Sequence, residues 1–177
     1  MALAVCLLLD ERAEAVVRDL WHRLEAAGVP TLLSHTHGRH RPHLTYASLR
    51  TTDPVTAEDV VATLTALPQA PPTVLHLDGF GSFRRSRCWL APAVSGELVE
   101  RQHAVIEALR TVGAELHRHY LPGHWVPHVT VAPRLHLREL PLVAGHVYDV
   151  LPVRAVLERA AVIDTSTGEV HALPHLV

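Results

Sequence analysis

One short pattern occurs twice in this 177-residue chain and limits the fold more than any other feature. Arg41-Pro42-His43-Leu44-Thr45-Tyr46-Ala47 is echoed by Val126-Pro127-His128-Val129-Thr130-Val131-Ala132, both reading Pro-His-aliphatic-Thr-x-Ala, with the histidines 85 positions apart. Counting back 33 residues from each histidine reaches Asp10 and Ser95, which are good N-cap residues in front of amphipathic runs. Ala13, Val16, Val17, Leu20, Leu24 and Ala27 fall at helical intervals in the first run. Leu98, Val105, Ile106, Leu109 and Val112 do so in the second. Gly28 and Gly113 then stand where a helix ends in a left-handed residue. Strand, helix, loop and Pro-His-x-Thr strand superimpose without a gap. This predicts one domain of two pseudo-twofold lobes, about residues 1–86 and 87–177, with C-terminal strands able to cross between them.

Between the repeated parts, the pattern predicts a helix over Val55 to Leu67 behind Asp53-Pro54. Strands are expected at Thr73 to Leu77, Cys88 to Ala93 and Ala155 to Asp164. A turn at Thr165 to Gly168 then leads into a last strand, Glu169 to Leu173. Hairpin signals between alternating helices and strands favour antiparallel pairing. The expected class is therefore α+β, bilobal, with internally duplicated antiparallel sheets, flanking helices and a central cleft.

Residues two apart on a strand point to one face, so His43 and Thr45 share a face, as do His128 and Thr130. Leu44, Tyr46, Val129 and Val131 face the other way. A twofold arrangement of two imidazole-hydroxyl pairs frames a phosphate. One neutral histidine takes a proton from an attacking water or hydroxyl, the other supplies one to the leaving oxygen, and each threonine hydroxyl donates to a non-bridging oxygen. An imidazole pKa near 6.5 lets both protonation states coexist around neutrality, so the expectation is catalysis with no cofactor and no metal.

Composition narrows the remaining options. All 16 basic residues are Arg, and the formal charge is −2 with neutral His, which excludes a basic nucleic-acid-binding face over the whole molecule but leaves room for a local patch. The apolar start, MALAVCLLLD, lacks a basic flank and a small-residue cleavage site and reads as a buried strand rather than a signal peptide. No apolar run approaches membrane-spanning length. Cys6 and Cys88 have no C-x-x-C partner, which argues against a zinc ribbon or disulfide framework and fits a reducing cytoplasm.

His43-Leu44-Thr45 and His128-Val129-Thr130, in equivalent places of a whole-chain repeat, resemble the two His-x-Thr/Ser motifs of the 2H phosphoesterases. The likeness is to the branch similar to 2′-5′ RNA ligases and cyclic phosphodiesterases. The resemblance implies hydrolysis of a cyclic phosphodiester to a monoester, or reversible 2′-5′ bond formation, on an RNA end or small nucleotide phosphodiester. It also implies a strand with aromatics before the second lobe, which Gly79-Phe80-Gly81-Ser82-Phe83 and Cys88-Trp89-Leu90 fit. Tyr46, Leu49-Arg50 and the Pro133 before Arg134 depart from the familiar RNA ligase-like pattern.

Further contacts are weighed more lightly. Arg84, Arg85 and Arg87 crowd a loop suited to holding a phosphate tail, against the plain reading of a solvated turn. Arg134 and Arg41 lie near the motifs. Trp125 and Tyr120 have the chemistry to stack on a base, although aromatics near a strand start more often pack on the core. Two rival classes stand beside catalysis. His35, His37 and His40, and His117, His119 and His124, have loose metal-ligand spacing but read more simply as loop histidines bordering the cleft. A nucleotide- or RNA-binding protein on the same fold would not need two proton-transfer groups. Neither a membrane nor an obligate protein partner is expected.

Overall fold

A computed structural model describes residues 3–52, 54–84 and 87–177, so Asp53 and Arg85 lie outside the described residues. The order strand, helix, strand, helix, strand runs twice. The first pass is β1 (Leu3–Leu9), α1 (Glu11–Ala26), β2 (His43–Ser48), α2 (Ala57–Thr65) and β3 (Thr73–Phe83). The second is β4 (Arg87–Pro92), α3 (Gly96–Thr111), β5 (Val129–Ala132), α4 (Leu140–Tyr148) and β6 (Val153–Asp164), followed by the short β7 (Val170–Ala172).

Every ladder is antiparallel, but the strands make one hydrogen-bonded set and not two separate sheets. The order is β1-β2-β5-β4-β3-β6-β7, and β1 also pairs with β6. The cause is the length of β6. Its beginning, Val153 to Leu157, pairs with β3, and the stretch from Leu157 to Asp164 pairs with β1. Each arm of the sheet therefore joins the first two strands of one pass to the third strand of the other: β2-β1-β6 on one side, β5-β4-β3 on the other.

The helices start where the capping chemistry places them. Asp10 Oδ1 accepts the Ala13 amide at 3.1 Å, and Ser95 Oγ accepts that of Leu98 at 3.2 Å. Gly28 and Gly113 sit just past the two C-caps at φ 85° and 76°. Ala27 and Val112, read as members of the apolar stripes, are those C-caps, and both are exposed because the helical face has ended there. Val17, Leu20, Trp21 and Leu24 of α1 are buried without remainder, and each is worth roughly 1.5–3 kcal/mol of transfer from water. The α2 helix begins two residues later than expected, since Thr56 and Asp59 close a capping box. The α4 helix was not anticipated. Its Pro141 and Gly145 suggest a loop, yet proline near the N-terminus of a helix costs nothing, and Val143 and Val147 bury one face. No helix among the described residues is long and apolar enough to cross a membrane.

Candidate active site

The two motif strands touch at a single position, Leu44 opposite Val129. Because the pairing is antiparallel, the same register sets His43 across from Thr130 and Thr45 across from His128. All four side chains then lie on the face opposite the buried Leu44 and Val129. All four line one cavity of about 480 Å³. Alternation along β1 supplies its floor. Ala4, Cys6 and Leu8 face the cavity, while Val5, Leu7 and Leu9 join the core.

Both imidazoles are held alike. His43 Nδ1 lies 2.6 Å from the Arg41 carbonyl oxygen and His128 Nδ1 lies 2.7 Å from that of Val126. A carbonyl only accepts, so Nδ1 carries the proton and Nε2 is the nitrogen left free for chemistry. The surroundings differ. Arg41 is clamped by the carboxylate of Glu14, with Nε donating at 3.0 Å, which ties the carbonyl behind His43 to α1. His128 is instead boxed by Phe83, edge-on at 5.1 Å between ring centroids, and Trp89 at 5.9 Å. Trp89 lies over Gly81, where a Cβ would come within 2.4 Å of the indole, so only glycine admits it.

Burial lowers the pKa of His43, and burial followed by the charges of His43 and Arg87 lowers that of His128. Thr45 is almost fully buried, with its hydroxyl 3.8 Å from Cys6 Sγ and also bonded to the Tyr120 side chain. Burial raises the Cys6 thiol to about 12, so it stays protonated. Each motif threonine also has its carbonyl capped by an indole: Trp21 Nε1 donates to Thr130 O at 3.2 Å and Trp125 Nε1 to Thr45 O at 3.0 Å.

Of the lightly weighed residues, Tyr120 and Arg87 line the cavity, and Arg41 contributes to its wall. Trp125 does not line it. Its indole turns inward, edge-on to the buried Tyr46 at 5.8 Å, and packs on the core because its N–H is spent on Thr45. Arg84 and Arg134 are exposed and line a second, outer cavity. His35, His37 and His40 wall the inner cavity as a packed ring cluster, with His37 and His40 centroids 4.1 Å apart. Among the described residues no group of three or more His, Cys, Asp or Glu side chains is arranged to hold a metal ion. Tyr120 as partner of Thr45, and Trp21, were not foreseen; the sequence places both far from the threonines they serve.

Burial, then the charges of His37, His43 and His35, lowers His40 to about 4. The unfolded chain takes up that proton near pH 6.5. Between those values the unfolded state binds more protons than the folded one, so stability falls as pH drops from 6.5 towards 4. His40→Gln should narrow the difference between urea midpoints measured at pH 7 and pH 4.5. An unchanged difference would show that this imidazole is not the source.

An all-antiparallel α+β chain with two histidines and two threonines in one cleft defines a class, and comparison with known proteins gives it a family. The sequence model of the 2′-5′ RNA ligase superfamily matches residues 10–169. This chain belongs to that superfamily, the 2H phosphoesterases, whose members are phosphoesterases and RNA ligase-like enzymes. Among solved structures it is similar to Escherichia coli LigT complexed with 3′-AMP, with TM-score 0.62, 14% identity, and 98% and 97% of the two chains covered. It is also similar to TT0787 of Thermus thermophilus, with TM-score 0.60, 16% identity and 99% of each chain covered. Kluyveromyces marxianus Usb1 aligns with TM-score 0.51, 14% identity, and 98% and 97% coverage. At these identities the likeness is one of fold. A comparison with curated proteins finds no match.

Proposed function

We propose that this chain is a metal-independent phosphoesterase acting on a cyclic or 2′-5′ phosphodiester of RNA or a nucleotide, with His43 and His128 as general acid and base. The observation that carries the reading is the matched pair of imidazoles. Both are anchored through Nδ1 to a carbonyl two residues back, and both stand beside a threonine in one cavity. In hydrolysis of a 2′,3′-cyclic phosphate, one neutral Nε2 takes a proton from water as the water oxygen bonds to phosphorus. The ring P–O bond breaks, and the other, protonated Nε2 returns a proton to the leaving ribose oxygen. Thr45 and Thr130 donate to the non-bridging oxygens, where charge builds. Burial favours neutral imidazoles, and an entering phosphate supplies the negative charge that lets one of them hold a proton. LigT has been crystallised with 3′-AMP, NADP+, ATP and phosphate; a nucleotide-sized phosphoester suits the cavity here as well. We also read the two passes of the chain as duplicated lobes, each giving one histidine.

The test is a panel of nucleoside 2′,3′-cyclic phosphates and 2′-5′-linked dinucleotides assayed in EDTA. Turnover should persist in chelator and show a bell-shaped dependence on pH. Activity that disappears with EDTA and returns with zinc would replace this mechanism with a metal-dependent one.

A further inference from the structure

Of the four motif side chains only Thr45 is buried, and its hydroxyl is met from two sides. Cys6 Sγ lies 3.8 Å away across the β1-β2 ladder, and the Tyr120 hydroxyl bonds to it from the 3-10 turn Arg118–Tyr120. Cys6, Thr45 and Tyr120 all line the inner cavity together with both histidines. That turn is fastened to β2, because the buried Gln102 of α3 donates through Nε2 to the Tyr46 carbonyl at 3.1 Å and to the Tyr120 carbonyl at 2.7 Å. The His117 amide adds a bond to the Ser48 carbonyl at 2.8 Å. Tyr120 is therefore held against the strand that carries Thr45.

A threonine hydroxyl has one hydrogen to give and two lone pairs with which to accept. Burial raises the pKa of both the Cys6 thiol and the Tyr120 phenol, so each keeps its hydrogen. A phenol is a stronger acid than an aliphatic alcohol, hence the better donor and the poorer acceptor of the two, and a thiol sulfur accepts only weakly. Both neighbours therefore donate to Thr45 Oγ1. With its lone pairs occupied, the hydroxyl has its own hydrogen left over, and the cavity is the direction in which that hydrogen meets an acceptor. The second motif is built otherwise. Trp89 stands opposite Thr130 where Cys6 stands opposite Thr45, and its indole N–H has no hydrogen-bond partner among the described residues.

We infer that Tyr120 is a positioning residue for Thr45, its O–H fixing the threonine hydroxyl so that the remaining hydrogen points to a non-bridging oxygen of the bound phosphate. A donor aimed in advance needs no reorganisation as charge develops. Tyr120 then serves through its hydroxyl and not as a platform for a base. The identity of the bound group rests on the phosphoesterase reading. The coupling of the two hydroxyls stands on the contacts around Thr45.

Inorganic phosphate is the probe, titrated by calorimetry into the wild type, Tyr120→Phe, Thr45→Val and the double variant. Phenylalanine keeps the ring and removes only the hydroxyl, so packing, and any stacking on a base, is retained. Tyr120→Phe should weaken phosphate about three- to tenfold, the worth of one hydrogen bond. In the Thr45→Val background it should have no further effect, because it acts only through that hydroxyl. The same coupling should appear in kcat/KM on a responsive phosphodiester. A phenol that merely props the 3-10 turn would weaken both backgrounds alike. Equal losses in the two backgrounds, wild-type affinity in Tyr120→Phe, or no phosphate binding by the wild type would overturn the inference. Coupled losses in phosphate binding, with no turnover of any cyclic or 2′-5′ substrate, would leave the Tyr120–Thr45 pair standing and remove the phosphoesterase reading. Turnover with independent losses would do the reverse.

Discussion

His43→Ala and His128→Ala should each lower kcat on a responsive phosphodiester by about 10²- to 10⁴-fold, the range for losing one positioned proton-transfer group. The double variant should be little worse than either single one, because acid and base act in one transition state. Folding is expected to survive. Both rings line a cavity, not the apolar core, and the one hydrogen bond each makes is to a backbone carbonyl beside solvent-accessible space. Circular dichroism and thermal unfolding beside steady-state rates would separate the two effects. Thr45→Val and Thr130→Val should cost less, as each removes one donor to the developing charge. Near wild-type turnover in either histidine variant would end the two-histidine mechanism.

The largest effect on stability is expected at Trp21→Ala, about 3–5 kcal/mol, because the side chain is wholly buried and the cavity left behind would not close. Trp21→Phe divides the loss. It retains most of the packing but leaves the Thr130 carbonyl without its indole donor, a deficit of about 1–3 kcal/mol for a buried acceptor. Urea unfolding of both variants checks the order. A Trp21→Phe variant as stable as the wild type would mean that packing alone matters and that the hydrogen bond into the motif strand contributes nothing.

The elements that a sequence reader finds here are those with a local cause. Asp10 and Ser95 cap helices by bonding their own first turns, and the Pro-His-x-Thr strands carry strict alternation, so helices and motif faces follow without tertiary information. What escaped has a distant cause. Pro141 and Gly145 disguise α4, although α2 of the first pass stands at the matching position. The alternating pattern of β3 stops at Leu77 before its glycines, which only the family resemblance read as strand; Gly79 is there because Ala91 of the neighbouring strand presses to 2.9 Å of where a Cβ would be, and Gly81 because Trp89 lies over it. Partners such as Trp21 and Thr130, 109 residues apart, leave no trace in any window. Net charge concealed the outer cavity in the same way. A total of −2 averages over acids paired on the helices and the arginines that line that cavity beside His128.

The exchange of third strands has a consequence for how the chain is made. During synthesis β1, apolar at all seven positions, emerges long before β6, and the ladder along one of its edges is completed only when β6 arrives some 150 residues later. Pairing so distant in sequence closes slowly, and an uncovered apolar strand edge is a template for other chains. Nascent or truncated forms ending before Val153 would therefore expose the edge most prone to self-association. The sixth strand acts as the clasp that makes the first one safe.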